Sequence, residues 1–215
     1  MKSVIKIEPA LLKILTNFSD WFFNSDFQHE LKPIEKKEDL DSGLYATSEE
    51  YLRKALKKPV NDYGYPIHMF AAVMEDILPY DKLAPKEYRD KCQELDDELI
   101  CYFGARNNAL RAYYPPDGYI GWHHNANACG HNIILTCNPE GDGEFESYNL
   151  KEDKIITYKD EKGWNAKVGY FGSFKEPNKI YWHCARTRTP RLTMSYVIPN
   201  AYLWEGMVES IGTLE

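Results

Sequence analysis

In the first quarter of the chain, apolar residues recur mostly at helical spacing, which predicts mostly helix. Residues 4–7 are expected to form a short first strand. Over the range 9–22, apolar residues recur three and four positions apart, which predicts an amphipathic helix with proline in its first turn. Ser48 is a helix-capping residue type, so a second helix is predicted over residues 51–57, and Pro59 ends it.

The strongest helical pattern lies between Pro85 and Tyr102. One apolar stripe recurs there at helical spacing, formed by Tyr88, Cys92, Leu95, Leu99 and Tyr102. This spacing predicts a helix with one face in the core and a charged face in solvent. The apolar residues from Ile67 to Leu78 predict a further, buried helix, which follows a turn over residues 61–66.

From Asn107 onward, short apolar or aromatic runs alternate with Gly, Pro, Asn and Asp. The predicted strands are 110–114, 132–137, 144–148, 155–158, 167–171, 179–182 and 192–198. The predicted turns are 139–143, 160–163 and 185–190. Many short strands at this spacing favour a β-sandwich or a barrel.

We expect a single domain over residues 1–215, with the helices packed on the outside of the sheet. Residues 1–106 would form a mostly helical support, residues 107–199 the core built from strands, and residues 200–215 a C-terminal tail. The chain has 215 residues with 43% hydrophobic content, which is enough for a sizeable core.

Composition narrows the classes of function. The formal net charge of -7 lacks the basic footprint of a nucleic-acid binder. The 5 cysteines are odd in number and form no CxxC pair, so neither a disulfide framework nor a zinc knuckle is expected. No apolar run reaches the length of about 18 residues that spans a bilayer. We therefore expect a soluble protein of a reducing cytoplasm, with no membrane partner.

Candidate chemistry concentrates between Tyr114 and Cys137, which holds three of the 6 histidines, and at His183. On a strand, His123 and Asn125 would share one face, because alternate side chains point the same way. His183 would come from a distant strand. Two imidazoles and one oxygen donor on one side of a metal form a facial triad, which suits non-haem Fe(II) and leaves positions open.

A polar strand face follows His183. Arg191, Thr193 and Ser195 share this face, and the opposite, apolar face carries Leu192, Met194, Tyr196 and Ile198. A guanidinium binds a carboxylate through two parallel charge-assisted hydrogen bonds. The face could therefore hold one end of a dicarboxylate whose other end chelates the metal.

These residues resemble the iron- and 2-oxoglutarate-dependent dioxygenases. The family pattern is His-x-Asp/Glu, a distal His and then Arg-x-Ser/Thr. The matching residues here are His123, Asn125, His183, Arg191 and Thr193. The resemblance covers about residues 107–199.

Two neighbouring stretches carry the resemblance further. Tyr114 and the Pro-Pro-Asp-Gly that follows it are similar to the Tyr-x-Pro-Gly turn of prolyl hydroxylases and of the oxidative demethylases of alkylated DNA. Residues 121–127, Gly-Trp-His-His-Asn-Ala-Asn, look closest to the dioxygenases carried by T4-like bacteriophages.

The resemblance implies an α+β fold, a double-stranded β-helix (jelly roll) with packed N-terminal helices. It also implies an oxygenase that hydroxylates a substrate with 2-oxoglutarate and O2 and releases succinate and CO2. The residues it assigns are His123, Asn125 and His183 to Fe(II), and Arg191, Thr193, Ser195 and Tyr114 to 2-oxoglutarate.

Asn125 departs from the family pattern, which has a carboxylate there. An amide oxygen can coordinate but is neutral, so we expect weaker iron binding. Two alternatives stay open: a non-catalytic jelly-roll binding protein, and a cupin-type metalloenzyme that does not use 2-oxoglutarate. A protein side chain or a small molecule is favoured over nucleic acid as substrate, with a peptidyl side chain slightly ahead. The cytoplasm would be that of the host cell if the chain is phage-encoded.

Overall fold

The computed structural model describes residues 1–31, 34–35, 42–59, 66–73 and 86–214. The strands in these ranges are β1 (Lys2–Ile7), β2 (Ile34–Glu35), β3 (Met69–Val73), β4 (Asn107–Tyr114), β5 (Tyr119–His123), β6 (Gly130–Asn138), β7 (Gly143–Asn149), β8 (Lys154–Lys159), β9 (Gly163–Phe171), β10 (His183–Thr187), β11 (Arg191–Ile198) and β12 (Gly212–Leu214). The α-helices are α1 (Pro9–Asn24), α2 (Phe27–Glu30), α3 (Ser42–Ala46), α4 (Glu49–Ala55), α5 (Lys86–Phe103) and α6 (Ala201–Ser210). Short 3-10 turns cover Ala126–Ala128 and Pro177–Lys179.

The strands form two antiparallel sheets. The major sheet has the order β12-β1-β9-β6-β11-β4, and the minor sheet has the order β5-β10-β7-β8. β3 pairs with β4 of one sheet and with β5 of the other, so it joins the sheets along one side. The eight strands from β4 to β11 cross between the sheets in the order of a double-stranded β-helix. The fold is therefore an α+β jelly roll with added helices.

Side-chain alternation gives the major sheet two different faces. The inner face meets the minor sheet, and the buried apolar residues between them are Met69, Ala71, Ala112, Tyr114, Ile120, Ile134, Phe145, Phe171 and Ala185. The outer face is covered by α1, α5 and α6, whose buried residues Leu11, Leu15, Phe22, Leu95, Leu99 and Met207 join Ile133, Leu135, Leu192, Met194 and Tyr196. The polar and apolar faces predicted for β11 are therefore the inner and outer faces of this sheet.

The helices begin where local chemistry favours it. The Glu8 carboxylate accepts a hydrogen bond from the Leu11 amide at 3.0 Å, at the start of α1, and Pro9 follows this cap. Ser48 caps α4 in the same way, through a 3.1 Å bond from the Tyr51 amide. No described helix is long and apolar enough to cross a membrane.

Most predicted elements are present, with ends that differ by a few residues. The predicted helix over residues 67–78 is wrong, because Met69–Val73 is strand β3; residues 74–78 lie outside the described ranges, as do residues 61–65 of the predicted turn. A short apolar run suits a buried strand as well as a helix. Here the segment lies between β4 and β5 and pairs with both, so it forms a strand.

Two further predictions near His183 are wrong. Residues 179–182 do not form a strand, since a 3-10 turn ends at Lys179 and β10 begins at His183. The predicted turn over residues 185–190 begins too early, because Ala185, Arg186 and Thr187 continue β10 between β5 and β7. Residues 200–215 contain α6 and β12, and β12 pairs with β1 at the sheet edge.

Candidate metal centre

Two histidines face each other across neighbouring strands of the minor sheet. His123 ends β5, His183 begins β10, and the strand register pairs the two residues. Their ring centroids are 4.2 Å apart. Both side chains are buried, with 6% of each residue exposed. Strand pairing therefore brings together two imidazoles that lie far apart in the sequence.

Each imidazole is held by a backbone carbonyl two residues before it. His123 Nδ1 lies 2.8 Å from the Gly121 oxygen, and His183 Nδ1 lies 2.9 Å from the Tyr181 oxygen. A carbonyl oxygen only accepts hydrogen bonds, so Nδ1 carries the hydrogen and Nε2 carries a lone pair. Histidines that bind metals donate their second ring nitrogen in this manner.

The protonation state of the pair suits metal binding. Burial lowers the pKa of His123 to about 4, against a smaller upward effect of the Gly121 hydrogen bond. Burial, followed by the neighbouring His123, holds the pKa of His183 well below its usual value. Both rings are therefore neutral near pH 7, which is the form that coordinates a metal.

Aromatic rings surround His183 on the inner side of the sandwich. The ring centroids of Phe171, Phe145 and Tyr181 lie 5.1, 5.5 and 5.7 Å from that of His183. Burial raises the pKa of the Tyr181 phenol, so this hydroxyl stays neutral. The histidine pair is therefore lined by aromatic side chains, which limit the access of water.

Asn125 is not part of the strand that carries His123. β5 ends at His123, and Asn125 precedes the 3-10 turn with φ -106 and ψ 39. The expectation that strand alternation aligns Asn125 with His123 is therefore wrong, because the extended backbone stops two residues earlier. Asn125 is half-buried, and its backbone oxygen accepts a 2.9 Å bond from the Ala128 amide.

Within the described ranges, no group of three or more His, Cys, Asp or Glu residues is arranged to hold a metal ion. A third protein donor from these ranges would therefore be an amide, a hydroxyl or a backbone carbonyl. Asn125 belongs to the first of these classes.

Two other histidines of the same window lie elsewhere. His124 is buried on the outer side of the minor sheet, with Trp182 and Phe174 edge-on at 4.8 and 5.7 Å. This is the opposite side from His123, as predicted, although β5 ends one residue before His124. His131 lies on the helix-covered face of β6, where its ring contacts Tyr170 at 4.9 Å and Trp204 at 5.1 Å.

A tight turn connects Tyr114 to the strand of His123. The Gly118 amide donates a 2.8 Å hydrogen bond to the Pro115 oxygen, and Asp117 has a φ of 62. A Cβ on Gly118 would lie 2.7 Å from the Pro115 oxygen, so a larger residue would not fit. The turn fixes how β4 of the major sheet passes to β5 of the minor sheet.

Arg191 is fully buried and paired with an internal carboxylate. Its Nε donates to Asp160 Oδ2 at 2.6 Å, and its Nη2 donates to Asp160 Oδ1 at 3.5 Å. Its Nη1 donates to Thr193 Oγ1 at 2.8 Å. The Tyr114 ring centroid lies 5.2 Å from Arg191 Cζ. Three of the four residues assigned to 2-oxoglutarate by the resemblance are therefore neighbours.

The fourth, Ser195, lies farther along β11 and has a different partner. Its hydroxyl donates to Asn132 Oδ1 at 3.2 Å, and both side chains are buried. Ser195 is thus on the inner face with Arg191, as predicted, but its hydroxyl is hydrogen-bonded to Asn132 on β6 rather than to the arginine.

Sequence reasoning missed Asp160 and Lys167. Asp160 falls in a predicted turn, and Lys167 falls in a predicted strand between the core residues Ala166 and Val168. Both are buried, and Lys167 Nζ lies 3.6 Å from Asp160 Oδ1. The available signal was a lysine flanked by two apolar residues in a stretch predicted to be strand.

The charges of this cluster depend on one another. Burial alone raises the pKa of Asp160, but the charges of Arg191 and Lys167 outweigh it, and the pKa lies below its usual value. Burial lowers the pKa of Lys167 to about 8, with Asp160 opposing and Arg191 adding to the effect. All three groups are therefore mainly charged at pH 7.

An open groove of about 940 Å³ lies on another part of the molecule, between β1, α1, β8 and β9. Its lining includes Lys167 but neither His123 nor His183. The groove is therefore separate from the histidine pair.

Comparison with known proteins gives matches only at the level of structure. No family model matches the chain, and no curated protein sequence matches it. A Pseudomonas putida prolyl-4-hydroxylase is 12% identical with a TM-score of 0.42, covering 88% of this chain and 87% of the other. A 2OG-Fe(II) oxygenase family oxidoreductase from Burkholderia pseudomallei is 14% identical with a TM-score of 0.38, covering 60% and 64%.

A third similar structure is the viral collagen prolyl hydroxylase of Paramecium bursaria Chlorella virus-1. It is 12% identical with a TM-score of 0.30, covering 77% of this chain and 92% of the other. These identities and TM-scores are too low to carry an argument, so the jelly-roll assignment rests on the strand order of the two sheets.

Proposed function

We propose that the chain is an Fe(II)- and 2-oxoglutarate-dependent oxygenase that hydroxylates its substrate and releases succinate and CO2. The observation that carries this proposal is the pair His123 and His183. Their Nδ1 hydrogens are donated to carbonyls at 2.8 and 2.9 Å, which leaves both Nε2 lone pairs for one ion. Neutral, pre-oriented imidazoles of this kind are the commonest protein ligands for such metals.

The donor set fits iron(II). Two imidazoles suit iron as well as zinc or copper, and a neutral third donor such as Asn125 leaves the remaining positions to water and substrate. Asn125 would be the third protein ligand or would hold a water that coordinates. In either case the protein supplies no negative charge, which makes iron retention weak.

Bound iron(II) would supply the positions at which 2-oxoglutarate and O2 react. The protein residues hold and orient the co-substrate and keep water out. Arg191 would donate to the distal carboxylate of 2-oxoglutarate, with Thr193 and Tyr114 beside it. Ser195 would complete the polar face of β11 toward the same ligand. The Phe145 ring contacts His183, with centroids 5.5 Å apart, and belongs to the apolar wall.

The substrate would be a protein side chain or a small molecule. The net charge of -7 disfavours a polyanionic substrate, because long-range repulsion opposes its approach. The Tyr-Pro-Pro-Asp-Gly turn is the feature that favours a peptidyl side chain. The similarity of residues 121–127 to dioxygenases of T4-like phages would place the protein in the cytoplasm of a bacterial host.

A second candidate is a binding protein on the same jelly roll with no turnover. Two observations favour it: the neutral Asn125 where the family has a carboxylate, and the Asp160 carboxylate that already pairs with Arg191. A cupin-type enzyme that uses metal without 2-oxoglutarate is a third. Arg191 and Thr193 on one inner face speak against that candidate.

An anaerobic titration separates these candidates. Apoprotein is loaded with Fe(II), 2-oxoglutarate is added, and the visible charge-transfer band of the chelate is followed. Oxygen is then admitted, and succinate is quantified. The proposal expects the band to saturate and succinate to form. A band without succinate would indicate the non-catalytic binding protein, and iron binding with no band would indicate the cupin-type enzyme.

A further inference from the structure

The groove between β1, α1, β8 and β9 opens where two neighbouring strands separate. β1 pairs with β9 over residues 2–4, which face residues 166–168. β9 begins earlier, at Gly163, and its other edge stays paired with β6 along its whole length. Among the described residues, the stretch 163–165 therefore has a strand on one edge only.

A β-bulge explains why β1 separates from β9. In the pairing of β1 with β12, Val4 faces Leu214. The next pair is Lys6 with Thr213, so Ile5 is an extra residue on β1. A bulge bends the strand that carries it and interrupts regular pairing. The position of the bulge, directly after the last residue that pairs with β9, accounts for the gap between the two strands.

The lining of the groove is partly apolar. Ile5 of β1 and Leu12 of α1 both line it, and they are 66% and 39% exposed. Trp164 of β9 belongs to the same lining and is half-buried. Exposed apolar side chains that lie together within a polar rim mark interaction surfaces.

The charge of the groove is opposite to that of the whole chain. The exposed charged residues of its lining are Lys6, Lys13, Lys159 and Glu161. Three cations thus face one anion, although the chain has a formal net charge of -7. The three lysines form no ion pair with any other described residue. Lys167 also lines the groove, but it is buried and paired with Asp160. The groove is therefore a local basic surface on an acidic protein, and it would attract an anionic ligand.

The strand edges in the groove favour an extended ligand. β8 ends the minor sheet, so its outer edge, like that of β9 at 163–165, has no strand partner within the described ranges. Backbone groups at such edges can pair with an added peptide strand. Side chains of an extended peptide alternate in direction. Apolar ones could therefore contact Ile5 and Leu12 while acidic ones point to the lysines.

We propose that the groove binds an extended, acidic segment of a partner protein, which adds as a strand to the free edge of β9. Carboxylates of this segment would pair with Lys6, Lys13 and Lys159, and its apolar side chains would cover Ile5 and Leu12. A nucleic acid fits less well, because it would leave the strand edge and the apolar lining unused. The inference is independent of the proposed function, since the groove contains neither histidine of the candidate metal centre.

The test uses fluorescein-labelled hexapeptides and the whole chain, with binding followed by fluorescence anisotropy. The first peptide alternates valine and glutamate, and the second has lysine in place of glutamate. The third is the first with alternate backbone nitrogens methylated, which removes main-chain donors and keeps the side chains. The first peptide should bind, with an affinity that falls as salt is added. The other two should bind at least about tenfold more weakly, because they lose the ion pairs or several hydrogen bonds.

Two pairs of substitutions locate the binding. Lys13→Glu with Lys159→Glu reverses two charges of the groove and should weaken the first peptide by about 5- to 20-fold, since two attractive pairs become repulsive. Lys151→Glu with Lys175→Glu is the matched control, because both lysines are exposed and lie outside the lining. The control should stay within about twofold of the parent, because salt screens distant charges. Ile5→Thr keeps a branched side chain and should weaken the same peptide by about three- to fivefold through lost apolar contact.

Several outcomes would overturn this inference. The first is equal affinity for the glutamate and lysine peptides, or no binding of the glutamate peptide. The second is full binding of the methylated peptide, which would exclude strand addition. The third is equal weakening by the two pairs of substitutions. Tighter binding of an oligothymidylate at the same lysines would assign the groove to a nucleic acid instead. Self-association that Lys13→Glu with Lys159→Glu abolishes would assign it to a second copy of the chain. The proposed function is tested on other residues and would stand in each case.

Discussion

His123 and His183 are register partners at adjoining ends of β5 and β10, and each gives its Nδ1 hydrogen to the carbonyl two residues before it. The same local geometry thus occurs twice, on strands from different parts of the chain. Because both tautomers are set by the backbone, the lone pairs are already oriented for the proposed metal. Little reorganisation would then be needed if a metal binds.

Replacing either histidine should abolish stable iron binding. His123→Ala and His183→Ala each remove one of two strong donors, so iron affinity should fall by more than about tenfold, beyond the effect of changing an outer-sphere partner. Bound iron after anaerobic reconstitution and gel filtration is the measurement. His131→Ala is the matched control, since His131 lies on the helix-covered face of β6, away from the histidine pair. Full iron content in both site variants would contradict the assignment.

Asp160→Asn should destabilise the fold strongly. The change leaves Arg191 and Lys167 buried without their carboxylate, and breaking a buried pair costs about 3–5 kcal/mol. Urea unfolding at pH 7 measures the loss. Asp153→Asn is the control, because Asp153 is exposed and pairs with Arg53 at the surface. A destabilisation no larger than that of the control would mean that the pair with Arg191 contributes little.

The Asp160 effect should also depend on pH. The folded pKa of Asp160 lies below its usual value of 3.8, so its contribution is present above that pH and is lost as the pH falls through the folded pKa. The stability difference between the parent and Asp160→Asn should therefore narrow below about pH 3.8. A constant difference down to pH 2 would contradict this.

Lys167→Met should stabilise the protein that has no bound co-substrate. At pH 7 the buried ammonium group destabilises the folded protein. A neutral side chain of similar length removes this cost, so the free energy of unfolding should rise by up to about 3 kcal/mol. Denaturant unfolding of the parent and of Lys167→Met, both without 2-oxoglutarate, measures this gain in stability.

That gain should shrink at alkaline pH. The folded pKa of Lys167 is about 8, below its unfolded value of 10.5, so between these values the unfolded chain holds a proton that the folded protein has lost. The parent therefore gains stability relative to Lys167→Met as the pH rises from about 8 to 10.5. Asp160 and Arg191, the charged groups beside Lys167, do not change protonation in this window. A pH-independent difference would show that Lys167 is not perturbed.

The fold could be predicted where a strand has one apolar and one polar face. β11 is the clearest case, because Leu192 and Met194 face the helices while Arg191 and Thr193 face inward. β5 gives no such pattern, since all of its residues are buried. Periodicity therefore could not place the strand that carries His123, and the residue types located it instead.

The residue types of the candidate site can be read from the sequence, but their internal partners cannot. The spacing of His123, His183 and Arg191 reflects strand positions and can be read from the sequence. The contact of Arg191 with Asp160 depends on how the turn after β8 folds against β11, 31 positions away. No local pattern encodes such a long-range pair, and Asp160 therefore resembled an ordinary turn residue.

Asn125→Asp should tighten iron binding. An added carboxylate offsets the charge of the metal more than a neutral amide does, and it restores the third donor that iron sites of this type use. We expect at least about a tenfold gain in Fe(II) affinity, since changes even to outer-sphere partners alter metal affinity by about 10- to 100-fold. Titration of the apoprotein with Fe(II) under anaerobic conditions gives the constant.

The same variant should bind 2-oxoglutarate more weakly, because one more anion then faces the dicarboxylate at the metal. Asn127→Asp is the matched control, since Asn127 is exposed two residues away, within the 3-10 turn that Asn125 precedes, and its charge would lie in solvent. If Asn125→Asp binds iron no better than the parent, Asn125 does not reach the metal. If Asn127→Asp gives the gain instead, the third position belongs to the turn rather than to the residue after His124. A general change in charge would move both constants in the same directions, so the comparison with Asn127→Asp is what identifies a metal ligand: a charge in solvent is screened and should shift both constants much less.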